Sequence, residues 1–412
     1  MPTVWAMSAW TGGHFLWRKL MQLLSLRYGT NPDQTPATLT FPGNQTSPLT
    51  VLNGQPGYIN LLDALNSWQL VRELQEATGL AAAASFKHVS PAGVGTAVRF
   101  DQTLCQSYHL TTCPTSAIAI AYVRARGADR MSSYGDFIGL SAKCDAETAH
   151  LIQHEVSDGI IAPAYTPEAL TILKQKKRGR YLILQIDPDY TPAEPITTRQ
   201  VFGFELTQPR SQQTITPALL TNIPTQQTKL PQSAIRDLLI ALITTKYTQS
   251  NSVCYAYDGQ TIGVGAGQQS RIHCVRLAGG KADRWLLRQH PLILGLPFQP
   301  TVKQVTKDNV IDQILEVGIT SILADHVWEQ YFTRQPVELK QLDRTAWLKH
   351  FQNISLASDG FFPFSDNIER AVKSGVRYIA QPGGSIRDDA VIEACDRYHM
   401  TMAMTGLRLF WH

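Results

Sequence analysis

With 412 residues, 43% of them hydrophobic and 17% charged, the chain is long enough for two or three cores and has the composition of a globular protein. No apolar run approaches the roughly 18 residues of a membrane-spanning helix, and in the apolar opening Met1–Leu26 the cations Arg18 and Lys19 follow the apolar part, unlike a secretory leader, so no targeting segment and no membrane partner are expected. A formal net charge of +4 is too small and too scattered for a nucleic-acid binder, yet it suits local pockets for small anions.

The Trp5, Trp10 and Trp17 segment leads into Arg27-Tyr28-Gly29-Thr30-Asn31-Pro32-Asp33-Gln34, a turn-rich string in which an Arg beside an aromatic suits a flat ring or a phosphate; a plain surface loop is the alternative. From Leu61 to Thr78 apolar residues recur at helical spacing, and Gly79 supplies a stop. Ala81-Ala82-Ala83-Ala84-Ser85-Phe86 then reads as a strand buried on both faces, with a buried helix segment as the alternative. Pro91, Gly93 and Gly95 are expected to stop it, leaving Lys87 and His88 at its carboxyl end, where open α/β sheets place ligands. The dipeptide alone reads more readily as a Lys reaching to solvent beside an ordinary His.

A second helical run, Ser116 to Arg126, precedes the Gly-, Ser- and Asp-rich string Arg126 to Phe137, expected to be a loop. Asp145 caps a helix to Val156, and Ser157-Asp158-Gly159 turns the chain into a strand at Ile160–Pro163. A further strand covers Tyr181 to Ile186, and the Pro-, Thr- and Gln-rich passage Pro188–Pro231 reads as a boundary between halves. The second half opens with a helix at Ser233–Thr248, followed by a hairpin turning at Asp258-Gly259. Gly263, Gly265 and Gly267 lack the spacing of a dinucleotide or P-loop fingerprint. They lead into a helix that carries Arg271, His273 and Arg276 in its first turns. The last sixty residues read as β-α-β-α-β: strands Ile354–Ser358, Val376–Gln381 and Thr401–Met404, with loops at Asp359–Asp366 and Pro382–Ile386 at strand carboxyl ends. Of the adjacent Phe361 and Phe362, one is expected to line a pocket. The six cysteines form no C-x-x-C pair and no disulfide framework, so most should be buried free thiols, as in a reduced cytoplasmic protein.

Taken together, Arg27-Tyr28-Gly29, Ser85–Gly93, Arg126–Phe137, Glu155–Gly159, Asn251–Leu277, Phe361–Asn367, Gln381–Asp388 and Leu407-Arg408-Leu409-Phe410 resemble, in the same order, the formyltransferase part of the bifunctional 5-aminoimidazole-4-carboxamide ribonucleotide (AICAR) formyltransferase/IMP cyclohydrolase family. The resemblance implies an α/β fold of two cytidine-deaminase-like three-layer α/β/α units with mixed or parallel sheets, here residues 27–210 and 211–412 after an N-terminal segment 1–26, and a homodimer whose sites are shared between subunits. It implies transfer of the formyl group of 10-formyltetrahydrofolate to the 5-amino group of AICAR without a catalytic metal, and a monofunctional enzyme, since the chain begins near the start of the transferase part. His88 would be the proton acceptor with Lys87 as its partner, and Asn251 would hydrogen-bond either. Arg27, Tyr28, His88, Gly135, Asp158, Asn251, Phe361 and Arg408 would hold the ribonucleotide, and Arg271, Asp366, Ser385 and Ile386 would lie near the folate. Asp33, Tyr257 and a shortened segment after Gly93 depart from the family pattern. A non-catalytic paralogue that binds purine ribonucleotide or folate is the competing expectation. Zinc-dependent deamination, the chemistry of more distant fold relatives, needs H-x-E and P-C-x-x-C, and neither string occurs.

Overall fold

A computed structural model describes residues 3–9, 15–42, 46–99, 101–192, 196–319 and 324–412. Strands β1 (Thr3–Ala9), β2 (Phe15–Leu26) and β3 (Ala37–Pro42) form a small antiparallel sheet that carries Trp5 and Trp17, while Trp10 lies outside the described residues. The chain then runs through β4 (Leu49–Asn53), α1 (Tyr58–Thr78), β5 (Ala82–Lys87), β6 (Ser90–Thr96), α2 (Gln102–Ser107), α3 (Ala117–Ala128), β7 (Asp136–Leu140), α4 (Ala146–Gln153), β8 (Ser157–Ala162), α5 (Pro167–Lys174) and β9 (Leu182–Ile186). A hairpin of β10 (Ile196–Val201) and β11 (Phe204–Pro209) stands apart from the main sheet. The order then recurs: α6 (Gln232–Lys246), β12 (Val253–Tyr257), β13 (Gln260–Gly265), α7 (Arg271–Leu287), β14 (Ile354–Ser358), helix Asp366–Val372, β15 (Val376–Gln381), helix Asp388–Arg397 and β16 (Thr401–Met404).

Both runs build one eleven-stranded sheet, ordered β16-β15-β14-β12-β13-β6-β5-β7-β8-β9-β4. The two halves meet where β13 pairs with β6 through Gln260 and Gly95. Outward from that seam each half repeats an antiparallel hairpin followed by parallel strands, the β-α-β-α-β pattern expected for the last sixty residues.

The period of two along the strands sorts side chains into two cores. Ala82, Ala84 and Phe86 of β5 face Leu61, Leu70 and Leu74 of α1, in a core that also contains Leu238 to Ile243 of α6. Ala83, Ile138 and Ile160 face the opposite way, into the core under α3, α4, α5 and α7. Three layers, α/β/α, follow from that alternation. Among the described residues no helix is long and apolar enough to cross a membrane.

Two local expectations are corrected. Pro91, Gly93 and Gly95 do not end the Ala-rich strand; they belong to β6, which pairs antiparallel with β5. The glycines are needed for close packing instead, since a Cβ on Gly93 would sit 2.1 Å from the Ala125 carbonyl oxygen and one on Gly95 would sit 2.5 Å from Arg124 Cβ, both on α3. The reversal is made by His88 and Val89. Cys144, Cys254, Cys274 and Cys395 are buried free thiols, but Cys105 and Cys113 are joined by a disulfide with Cα atoms 5.6 Å apart. The chain folds back after α2 through a left-handed His109, which brings the two together.

Candidate active site

His88 and Val89 form a two-residue turn between Lys87 and Ser90, which pair directly, and both have left-handed backbones, with φ of 54° and 61°. That is the geometry of a type I′ hairpin, for which Asn-Gly is the favoured sequence. Each left-handed residue costs roughly 1–2 kcal/mol, and a β-branched Val is among the least tolerant. Two interactions brace the turn. The buried Asp63 carboxylate on α1, 6% exposed, accepts the Val89 N–H at 2.7 Å. Lys87 Nζ donates to the Tyr134 carbonyl oxygen at 2.6 Å. Burial pushes the Asp63 carboxyl up to about 6, although the Val89 N–H and the nearby His88 pull it down.

The turn opens into a cleft of about 480 Å³ lined by Arg27, Tyr28, Asp63, Lys87, His88, Gly135 and Asp158, together with the first residues of α1. Six predicted site residues therefore share one cavity. Arg27 lies 5.6 Å from the Tyr28 ring centroid, a cation stacked on an aromatic face. Asp158 is paired with Lys177 at 2.7 Å, and Gly135 has a left-handed φ of 79° that a side chain would strain. Tyr58, Ile59 and Asn60 of the first turn of α1 line the same cleft as Arg27, and a helix N-terminus there favours an anion.

Beneath the cleft, polar side chains hold the loop that carries Tyr134 and Gly135. Ser85 donates to Asp136 at 2.6 Å, Arg126 donates to Asp136 at 2.9 Å and to the Ser133 carbonyl oxygen at 2.8 Å, and Arg126 also pairs with Glu155 at 3.0 Å. Arg130 extends the chain from Glu155 to Asp308. Burial raises the Asp136 carboxyl even with Arg126 beside it. Every charge in this ladder has a partner of opposite sign, the arrangement under which a buried charge is tolerated.

The remaining predicted residues gather in the second half. Arg271, 7% exposed, donates to Asn251 Oδ1 at 2.9 Å, to the Ser252 carbonyl oxygen at 3.2 Å, and to the Asp359 carboxylate. Asp359 also accepts Ser250 Oγ at 2.6 Å and the Ser252 N–H at 2.9 Å, and its carbonyl accepts the Leu409 N–H, which ties the tail with Arg408 to this corner. Phe362 is buried in the core, whereas Phe361 is 45% exposed, so one of the pair does face outward. Ile386 is fully exposed, and the loop before it is held by Asp388, which accepts the Gly384 and Ser385 N–H groups. Asp366 opens its helix and accepts from Asn367 at 2.8 Å. The cleft lining includes none of Asn251, Arg271, Phe361 or Arg408. Between the groups, the Gln249 N–H reaches Ser90 Oγ at 3.5 Å.

Sequence reasoning missed Asp63, the first turn of α1 and the Tyr134 carbonyl. Asp63 had a signal available, a carboxylate two residues after Leu61 on a helix face that is otherwise buried. A backbone carbonyl carries no signature of its own. Among the described residues no group of three or more His, Cys, Asp or Glu side chains could hold a metal ion.

A mixed three-layer fold goes with what the sequence matches: residues 11–281 fit the AICARFT/IMPCHase bienzyme family, and the chain belongs to that family. Its relatives include the bifunctional purine biosynthesis protein PurH of Ruegeria pomeroyi, 31% identical over 393 residues, and that of Paracoccus denitrificans, 33% identical over 392 residues. Each alignment covers 94% of this chain and 59% of the relative, so the chain spans about three fifths of the length of the proteins it matches.

Proposed function

We propose that this chain transfers the formyl group of 10-formyltetrahydrofolate to the 5-amino group of AICAR, giving formyl-AICAR and tetrahydrofolate in purine biosynthesis. The observation that carries the reading is the cleft in which Arg27, Tyr28, Lys87, His88, Gly135 and Asp158 meet. The amine of this substrate is a poor nucleophile, so its nitrogen attacks the formyl carbon only as a proton leaves it. The His88 imidazole accepts that proton, and the Lys87 ammonium stabilises the oxyanion of the tetrahedral intermediate. Collapse breaks the bond to N10 of the folate, and the proton held by His88 passes to that nitrogen. Arg27 and the start of α1 suit the 5′-phosphate. Phe361 and Ile386 offer exposed apolar surface for the flat rings of the folate, with Asp366 and Ser385 in the neighbouring loops. Arg271 supports Asn251, and Arg408 adds a cation at the same corner. None of these steps needs a metal.

We further read residues 27–210 and 211–412 as two cytidine-deaminase-like units of a homodimer in which the Asn251, Phe361 and Arg408 group of one copy completes the cleft of the other. Their absence from the lining of the cleft in the single chain supports this. Hybrid dimers of a His88→Ala subunit and an Asn251→Ala subunit should regain activity, because one of their two sites is intact; no recovery in verified hybrids would place the whole site in one chain. A cytoplasmic location goes with this reading, although the Cys105–Cys113 disulfide is uncommon there, and cell fractionation tests it.

The deciding experiment is a steady-state assay of tetrahydrofolate release from purified protein supplied with AICAR and 10-formyltetrahydrofolate. Turnover dependent on both substrates supports the proposal. Binding of the ribonucleotide with no turnover at micromolar enzyme would leave a non-catalytic paralogue.

A further inference from the structure

We propose that Asp63 is a positioning residue for the proposed proton acceptor: its carboxylate holds the Val89 amide and so fixes the left-handed turn that presents His88 to the cleft. The inference rests on the formyl-transfer reading for what His88 does, but the tether itself is a property of the free protein.

A two-residue hairpin turn with both residues at positive φ normally uses Asn, Asp or Gly, whose backbones reach that region easily. His88 is tolerated there, but the β-branched Val89 is not. Left to its own preferences the pair would move to another turn, and the imidazole would move with it. The geometry therefore has to be held from outside, and Asp63 is the group in place to do so. It lies 2.7 Å from the Val89 nitrogen, it is 6% exposed, and it belongs to α1, whose neighbouring Leu61, Ala64 and Trp68 are packed in the core. A rigid helix thus anchors one end of the hydrogen bond and the turn takes its shape from it. A misplacement of about 1 Å in a reacting group can cost about a hundredfold in rate.

The second half contains the same device without the site. Asp237 on α6 accepts the N–H groups of Asp258 and Gly259, each at 2.9 Å, at the turn between β12 and β13. There the turn is Asp-Gly, a sequence that adopts positive φ readily, and neither residue lines the cleft. Asp237 is therefore an internal control, a carboxylate-to-turn tether whose loss should affect folding alone.

The test compares Asp63→Ala, Asp63→Asn and Asp237→Ala with the unaltered protein by kcat, KM, thermal midpoint and exchange of the Val89 amide hydrogen. Asp63→Ala should lower kcat by at least about tenfold, the cost of one charge-assisted hydrogen bond, with KM for the ribonucleotide changed by less than about threefold. Asp63→Asn keeps an acceptor oxygen at the same place and should recover most of the loss. Asp237→Ala should lower the thermal midpoint without a selective fall in kcat. Equal effects of the two alanine changes on kcat, or an Asn variant as slow as the Ala variant, would overturn the proposal. Should Asp63→Ala not fold, Asp63→Ser, whose hydroxyl is too short to span the gap, reads the same quantity. Val89 exchange is measured without substrate and should speed up in Asp63→Ala. Unchanged exchange refutes the tether even if the protein turns over, whereas absent turnover with faster exchange refutes only the function of His88.

Discussion

The two central hairpins of the sheet have the same construction and different turns. In each, a long helix offers a buried carboxylate to the turn, Asp63 in the first half and Asp237 in the second, and paired glycines let the following helix lie close on the second strand. Gly263 and Gly265 approach α7 as Gly93 and Gly95 approach α3. The second turn, Asp258-Gly259, uses residues that suit its backbone. The first uses His-Val, and its β-branched Val89 does not. Such strain persists where the surroundings over-determine it, and it is commonest at functional sites. The lesson is directional: the poorly suited turn is the one that borders the cleft, carries His88 and has extra bracing from Lys87 and Tyr134.

Exchanging the turn residues would test this asymmetry most strongly. Gly259→Val places a Cβ 2.4 Å from Val98 Cγ2 at a φ of 84°, and should cost about 3 kcal/mol of stability. Val89→Gly relieves a left-handed β-branched residue and should stabilise by about 1 kcal/mol while slowing turnover, because the turn gains freedom. Denaturant titrations of both variants give the two signs. If both destabilised alike, the first turn would not be strained.

A smaller effect is written in pH. The Asp63 carboxyl is raised from 3.8 to about 6, chiefly by burial, with His88 lowering it and Asp158 and Asp136 raising it, and with Lys87 on the same hairpin. A raised carboxyl contributes stability that is fully present below about pH 4 and lost as pH climbs through about 6. Asp63→Asn removes that dependence. Its stability relative to the unaltered protein should rise by about 2 kcal/mol between pH 4 and pH 7 in thermal or urea unfolding. A constant difference across that range would mean that Asp63 does not titrate there.

Much of this architecture was legible in the sequence because single, strong signals had single causes. Gly79 does end α1 with a left-handed φ of 70°, Asp258-Gly259 does turn β12 into β13, and the last three strands lie where the apolar runs are. The first hairpin was misread for a physical reason. Pro91, Gly93 and Gly95 carry the composition of a turn, but the glycines serve the contact with α3, while the turn itself has no Gly, Asn or Asp and its Val89 N–H is held by Asp63. The disulfide between Cys105 and Cys113 depends on the reversal after α2, and their spacing alone does not define that path. The proposed site membership rests on the assembled order of several motifs. Lys87-His88 by itself reads more readily as a surface pair, and Arg126, Asp136 and Glu155 support the cleft through contacts distant in sequence.

The central claim is that the hairpin turn of the first half holds the proton acceptor, and His88→Ala tests it most directly, with turnover and ribonucleotide binding measured on the same preparation. The account predicts a loss of at least about a hundredfold in kcat, the usual contribution of a general base, while the calorimetric affinity for AICAR changes by less than about tenfold. Turnover at the unaltered rate in that variant would contradict it.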